Sequence, residues 1–126
     1  MAHVWVKTAE SWTGTPVSSA CAMTAELTES DREFRIVVAV PGCDEKHVQV
    51  TATKSLIAVE GALPAAERPG AEQIVFSEFA GRRLARTFGL PEEIAPEEVK
   101  AHLRNGFLTV VAVKACAARS RRIACV

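Results

Sequence analysis

Asn105-Gly106 stands between two runs of alternating apolar residues, Val99, Ala101 and Leu103 before it and Leu108, Val110 and Ala112 after it. A two-residue hairpin turn needs positive φ at both central positions, and Asn followed by Gly tolerates that best. Period-two alternation puts every second side chain on one face, so both runs read as strands with a buried side. The same period recurs upstream. Phe34, Ile36, Val38 and Val40 share one extended face, and Pro41-Gly42 stops the strand because proline lacks a donor and glycine favours a turn. Val48, Val50 and Ala52 alternate with Gln49, Thr51 and Thr53, which predicts a strand with one wet face. Ile57 and Val59 predict a short strand ending at Glu60-Gly61, and Leu84, Arg86, Phe88 and Leu90 alternate as far as Pro91. About seven short strands, turn signals roughly every eight to twelve residues and no long helical pattern predict an all-β, immunoglobulin-like antiparallel β-sandwich.

The remaining segments set the domain limits. Residues 1–24 carry Trp5 and Trp12 without a sustained period and read as a mobile arm. The alternating domain runs from 25 to 114, and 115–126 is a basic tail ending in an apolar tetrapeptide. Within the domain, residues 61–73 contain two prolines and two glycines and read as a loop, with Ile74, Val75 and Phe76 as a short strand at its far end. The segment 91–100 suggests a helix, but Pro91 and Pro96 limit it to about one turn.

The chain has 126 residues, enough for one domain, and its 15 basic and 15 acidic residues balance, so no nucleic acid or anionic membrane is expected as a partner. Its apolar runs are far shorter than the roughly 20 residues of a membrane span. No basic start followed by an apolar core marks a secretory signal, and a cytoplasmic location is expected. Cys21, Cys43, Cys116 and Cys125 form no C-x-x-C pair and lie far in sequence from His3, His47 and His102. Free thiols are the expectation in a reducing compartment, with no metal site. No phosphate-cradling glycine loop or nucleophile elbow is present. Glu92-Glu93 and Glu97-Glu98 read as solvated charges, and His47 and His102 as surface histidines. No catalytic residue, cofactor site or enzyme activity is expected.

Four collinear segments carry a resemblance. Residues 40–50, VPGCDEKHVQV, resemble the LPG turn and following strand of the small heat-shock proteins, the α-crystallin domain family. Ile57-x-Val59-Glu60-Gly61 is similar to the strand before that family's dimerisation loop. Arg86-Thr87-Phe88-Gly89-Leu90-Pro91 looks like its R-x-F-x-L-P strand end. Residues 99–110, VKAHLRNGFLTV, resemble its A-x-x-x-N-G-x-L signature with flanking strands. The likeness spans roughly residues 25 to 114.

The resemblance implies a sandwich of two antiparallel sheets that works as an ATP-independent holdase, binding partly unfolded clients and itself. A homodimer is expected, with larger oligomers labile. In the dimer, Ile74, Val75 and Phe76 of the 61–82 loop add to a neighbour's first domain strand near residues 25–28. Arg86 is expected near that interface, half-buried and paired with an acid of the loop, because a buried guanidinium needs a partner. An apolar groove formed by Val48, Val50, Val99, Ala101 and Leu103 receives client segments or the family's tail motif. The tail anchors here are Ile123 and Val126, which stand three apart and face opposite ways on an extended strand. Two further departures are Gly89, where the family carries a polar or basic side chain, and Ala112-Val113-Lys114, where it carries VPK. The alternative function is a co-chaperone or adaptor of the CS-domain type, which shares the sandwich but generally lacks the third and fourth segments.

Overall fold

A computed structural model describes residues 2–12, 23–63, 70, 72–77 and 83–119. Among the described residues there are nine strands: β1 (Ala2–Val4), β2 (Val6–Thr8), β3 (Ala25–Glu29), β4 (Glu33–Ala39), β5 (Val48–Ala52), β6 (Leu56–Ala62), β7 (Arg83–Gly89), β8 (Ile94–Arg104) and β9 (Phe107–Lys114). A short helix, α1 (Ala115–Arg119), follows the last strand. One sheet has the order β1-β8-β9-β4-β3 and the other β2-β5-β6-β7. Adjacent strands are antiparallel except β2 and β5, which run parallel.

The core lies where the alternation puts it. Phe34, Ile36 and Val38 of β4 and Leu108, Val110 and Ala112 of β9 are buried from one sheet. Val50, Ile57, Val59, Leu84 and Phe88 are buried from the other. Asn105 (φ 53°) and Gly106 (φ 80°) form the tight turn between β8 and β9, closing the ladder at the pair Arg104 and Phe107. At Val40-Pro41-Gly42-Cys43 the Cys43 N–H donates to the Val40 carbonyl at 3.2 Å, and Gly42 has φ 80°. Pro at the second position and a positive-φ Gly at the third make this a type II turn.

The structure departs from the sequence reading in several places. Residues 2–8 are paired strands, not a mobile arm. The proline-bounded segment 91–100 is no helical turn; β8 begins at Ile94 and runs through Pro96. Its ladder with β9 shifts register between Ile94 and Val99, and an irregular stretch is where a sheet accommodates a residue with no N–H. Thr51 is buried, because it lies between Lys7 of β2 and Ala58 of β6. Ile74 to Phe76 form no strand. The first tail residues fold into α1, whose Ala117 and Ala118 are buried and whose Ala117 carbonyl accepts from Arg32 Nη2 at 3.4 Å.

Lys114 closes the last strand where the family's proline is missing. Its stem is buried, and its Nζ reaches Glu29 Oε2 and Glu92 Oε2, each at 2.7 Å, tying β9 to the end of β3 and to the β7–β8 connection. The ammonium also sits 5.1 Å from the Phe34 ring centroid. The hydrogen bond from Lys114, and then its charge, hold the Glu92 carboxyl below the usual carboxylate range. The folded state therefore binds fewer protons there than the unfolded chain does. The stabilisation is present above the ordinary carboxylate value of about 4 and is lost as pH falls through the depressed one. The denaturation midpoint of Lys114→Met should lie below wild type at neutral pH, and the gap should narrow on acidification below about pH 4. Urea titrations at pH 7 and pH 3 check this; a gap of constant size would mean that the ion pairs contribute nothing.

Candidate functional site

The two sheets leave two kinds of edge. On one side of the sandwich lie β5 and β8, whose inner neighbours are β6 and β9. The expected groove residues Val48 and Val50 lie on β5, and Val99, Ala101 and Leu103 on β8, and all five are buried. The chain's own N-terminal segment runs along part of both strands. Ala2, His3 and Val4 pair with Leu103, His102 and Ala101 of β8, and Val6, Lys7 and Thr8 pair with Val50, Thr51 and Ala52 of β5. The Ala9 N–H extends this by donating to the Ala52 carbonyl at 3.0 Å. Val4 belongs to the core at 2% exposure, and Ala2 and Val6 pack against it.

Val4 and Val6 are therefore groove residues that the sequence reading passed over. The signal was there: Ala2, Val4 and Val6 alternate with His3, Trp5 and Lys7. The alternation is short, and its exposed member is a tryptophan, which obscures the period. Across the β1–β8 pair the His3 and His102 rings meet edge-on, with centroids 5.8 Å apart.

The opposite edge is β3, which among the described strands pairs with β4 alone. Its residues run from half-buried Ala25 to exposed Glu29, and Leu27 is an exposed large apolar residue on it. On the β6–β7 connection, Ile74, Val75 and Phe76 are 54%, 98% and 79% exposed. Three consecutive apolar side chains in water are costly, at about 25 cal/mol for each Å² left uncovered.

Arg86 is half-buried, as its parity predicts, and among the described residues its hydrogen-bond partner is a main-chain carbonyl; the acids Glu67 and Glu78 of the loop lie outside the described residues. The Arg86 Nη1 donates to the Met23 carbonyl at 2.7 Å, and its guanidinium lies 5.5 Å from the Phe88 centroid. It thus fastens the approach to β3, in one sheet, onto β7 in the other. Ile123 and Val126 lie outside the described residues.

Cys43 is a buried free thiol whose Sγ contacts the Ala62 carbonyl at 3.6 Å. Burial, and then the neighbouring Asp44 charge, push that thiol above its ordinary range, which leaves it unreactive. Cys116 on α1 corrects the free-thiol expectation: it is disulfide-bonded. Among the described residues, no group of three or more His, Cys, Asp or Glu side chains is placed to hold a metal ion. No helix among them is long and apolar enough to cross a membrane.

Comparison with known proteins agrees with this architecture. The chain is 31% identical over 98 residues to the spore protein SP21 of Stigmatella aurantiaca, covering 78% of this chain. It spans only 58% of that relative's length. Among solved structures, heat shock protein 16.0 from Schizosaccharomyces pombe superposes with a TM-score of 0.66 at 22% identity, over 75% of this chain and 88% of that one. The hspA protein of Xanthomonas axonopodis superposes with a TM-score of 0.61 at 21% identity, over 75% and 95% of the two chains. These likenesses show the shared sandwich. The profile of the Hsp20/alpha crystallin family matches residues 26–125, nearly the whole span of the sandwich, and the chain belongs to that family.

Proposed function

We propose that this protein is an ATP-independent holdase of the cytoplasm, which binds extended apolar segments of partly unfolded proteins and limits their aggregation under stress. The observation that carries this reading is the groove between β5 and β8 with a strand seated in it. Residues 2–8 are held there by main-chain pairing to both sheets and by one enclosed apolar side chain. Main-chain pairing is blind to sequence, and an apolar pocket selects only for an apolar residue in alternation. Those are the requirements for recognising many unfolded chains and no single folded one. Such contacts are individually weak and act together when several sites engage one client.

Self-association follows from the other edge. A neighbour's Ile74–Phe76 segment adding to β3 pairs an open strand and brings the side chains on one face of the segment, Ile74 and Phe76 or Val75, against the sandwich.

The test is aggregation of an unrelated client, such as a heat-labile enzyme or reduced insulin, followed by light scattering. Suppression at near-stoichiometric ratios, the same with and without ATP, is the expected result. Suppression that requires nucleotide, or none at several-fold excess, would sink the holdase reading. A one-to-one complex with a single folded partner and no effect on diverse clients would favour the adaptor alternative.

A further inference from the structure

His3 and His102 lie far apart in the sequence, and the fold lays them side by side. On β1, Val4 belongs to the core and Ala2 packs against it, so period two turns His3 to the outer face of the sheet. On β8, Ala101 and Leu103 are buried, which turns His102 to the same face. The β1–β8 register then opposes the two residues directly. Directly opposed residues of antiparallel strands have Cα atoms about 4.5–5.5 Å apart and side chains on one face. The imidazole centroids are accordingly 5.8 Å apart, with the ring planes inclined at 61°.

That spacing is close to what one metal ion needs. Zinc takes imidazole nitrogen at about 2.0–2.1 Å in a tetrahedral shell, which sets the centres of two rings on one ion roughly 5 Å apart. Closing the observed 5.8 Å to that value moves each ring by a few tenths of an ångström, a small side-chain rotation on a fixed backbone. Neutral imidazole is the commonest protein ligand for metals and suits zinc, copper and nickel. His3 is exposed and His102 half-buried, so an ion can enter from solvent and keep water at its remaining positions. The Trp5 ring meets His3 edge-on at 5.0 Å and restrains it from the far side. Lys100 and Arg104 flank His102 on β8 and oppose a cation, but both are exposed and their charges are screened by solvent.

We propose that His3 and His102 form a two-histidine chelate for a borderline divalent transition-metal ion, such as zinc, with water completing its shell. The ion bridges β1 and β8, so it binds the folded arrangement and raises its stability as the metal concentration rises. The site is independent of client binding. His47, whose Nδ1 is hydrogen-bonded to Asp44 Oδ1, serves as the comparison.

Zinc chloride titrated calorimetrically into the full chain, with its accessible thiols alkylated beforehand, tests this. Wild type should bind zinc, and His3→Gln and His102→Gln should each weaken binding at least about tenfold, the lower bound seen when a residue merely supporting a ligand is lost. His47→Gln should bind as wild type does. His3 and His102 lie outside the core, so both variants should keep the metal-free thermal midpoint of wild type. Undiminished binding by either variant overturns the proposal, because other ligands then hold the ion. A wild type that takes up no zinc also overturns it and reduces the pair to a ring contact.

Trp5 locates the ion. In a Trp12→Phe background it is the one tryptophan left of two, and nickel(II) on His3 would quench its fluorescence at close range. Quenching should saturate with nickel, and adding His102→Gln should move the midpoint to at least about tenfold higher concentration. The same midpoint with and without His102 overturns the chelate.

Discussion

Gly106→Val is expected to lower the free energy of unfolding by about 1–3 kcal/mol. Space is not the reason: a Cβ at this position would come no closer than 3.9 Å, to the Pro41 Cα, an ordinary contact. The cost lies in the backbone, where φ is 80° and a β-branched side chain resists the left-handed region. Asn105 beside it holds φ 53°, so the turn cannot pass the strain to its other central residue. Relaxing the turn would move Arg104 and Phe107 out of register and, by period two, turn the inward residues of one strand outward. It would also disturb β4, because the Val40 N–H donates to the Gly106 carbonyl at 2.8 Å. Urea denaturation checks the claim, with the slope compared as well as the midpoint. An unchanged midpoint would mean that the hairpin can close without positive φ at Gly106.

That turn shows why much of this fold was legible in the chain alone. Asn-Gly, Pro-Gly and period-two alternation are local signals with local causes, and each fell where a strand turned or ended. The misreadings share the opposite character. The short strands β1 and β2 show only a brief alternation, obscured by Trp5, and they pair with the edges that β8 and β5 offer. Thr51 looked wet because its cover, Lys7 of β2, is distant in sequence. Pro96 argued for a turn, yet the β8–β9 register shift accommodates it within a strand. Long-range context overrode local preference in each case.

The candidate site divides the same way. The burial of Val48, Val50, Val99, Ala101 and Leu103 was legible, because inward parity along β5 and β8 can be counted from sequence. That the groove is already filled could not be counted, since Val4 and Val6 reach it across the whole domain. Arg86 was recognised as half-buried from parity, but its acceptor, the Met23 carbonyl, is a main-chain atom that no side-chain pattern announces.

Under the proposed strand addition at β3, wild type is a dimer, and replacing Ile74, Val75 and Phe76 with Pro, Gly and Pro is expected to leave a monomer of half the particle mass. Proline removes the N–H groups that a donated strand must offer, and the substitutions delete all three apolar side chains. The domain should stay folded, because these side chains stand in solvent and lie outside the core. An unchanged far-ultraviolet circular dichroism spectrum and urea midpoint would establish that, so a loss of dimer could not be attributed to unfolding. The tail should matter less. Burying Ile123 and one further apolar residue offers on the order of 3–6 kcal/mol before ordering costs, which is weak docking for one tail. The informative deletion begins after Arg119, because α1 packs Ala117 and Ala118 against the domain and a cut at Lys114 would expose it. Removing residues 120–126 should therefore deplete only the larger, labile forms and leave the dimer. Native mass spectrometry of the two variants across a concentration series decides between them. A loop variant whose dimers persist to the same dilution as wild type would rule out strand addition at β3, and the pairing surface would then have to be sought elsewhere on the sandwich.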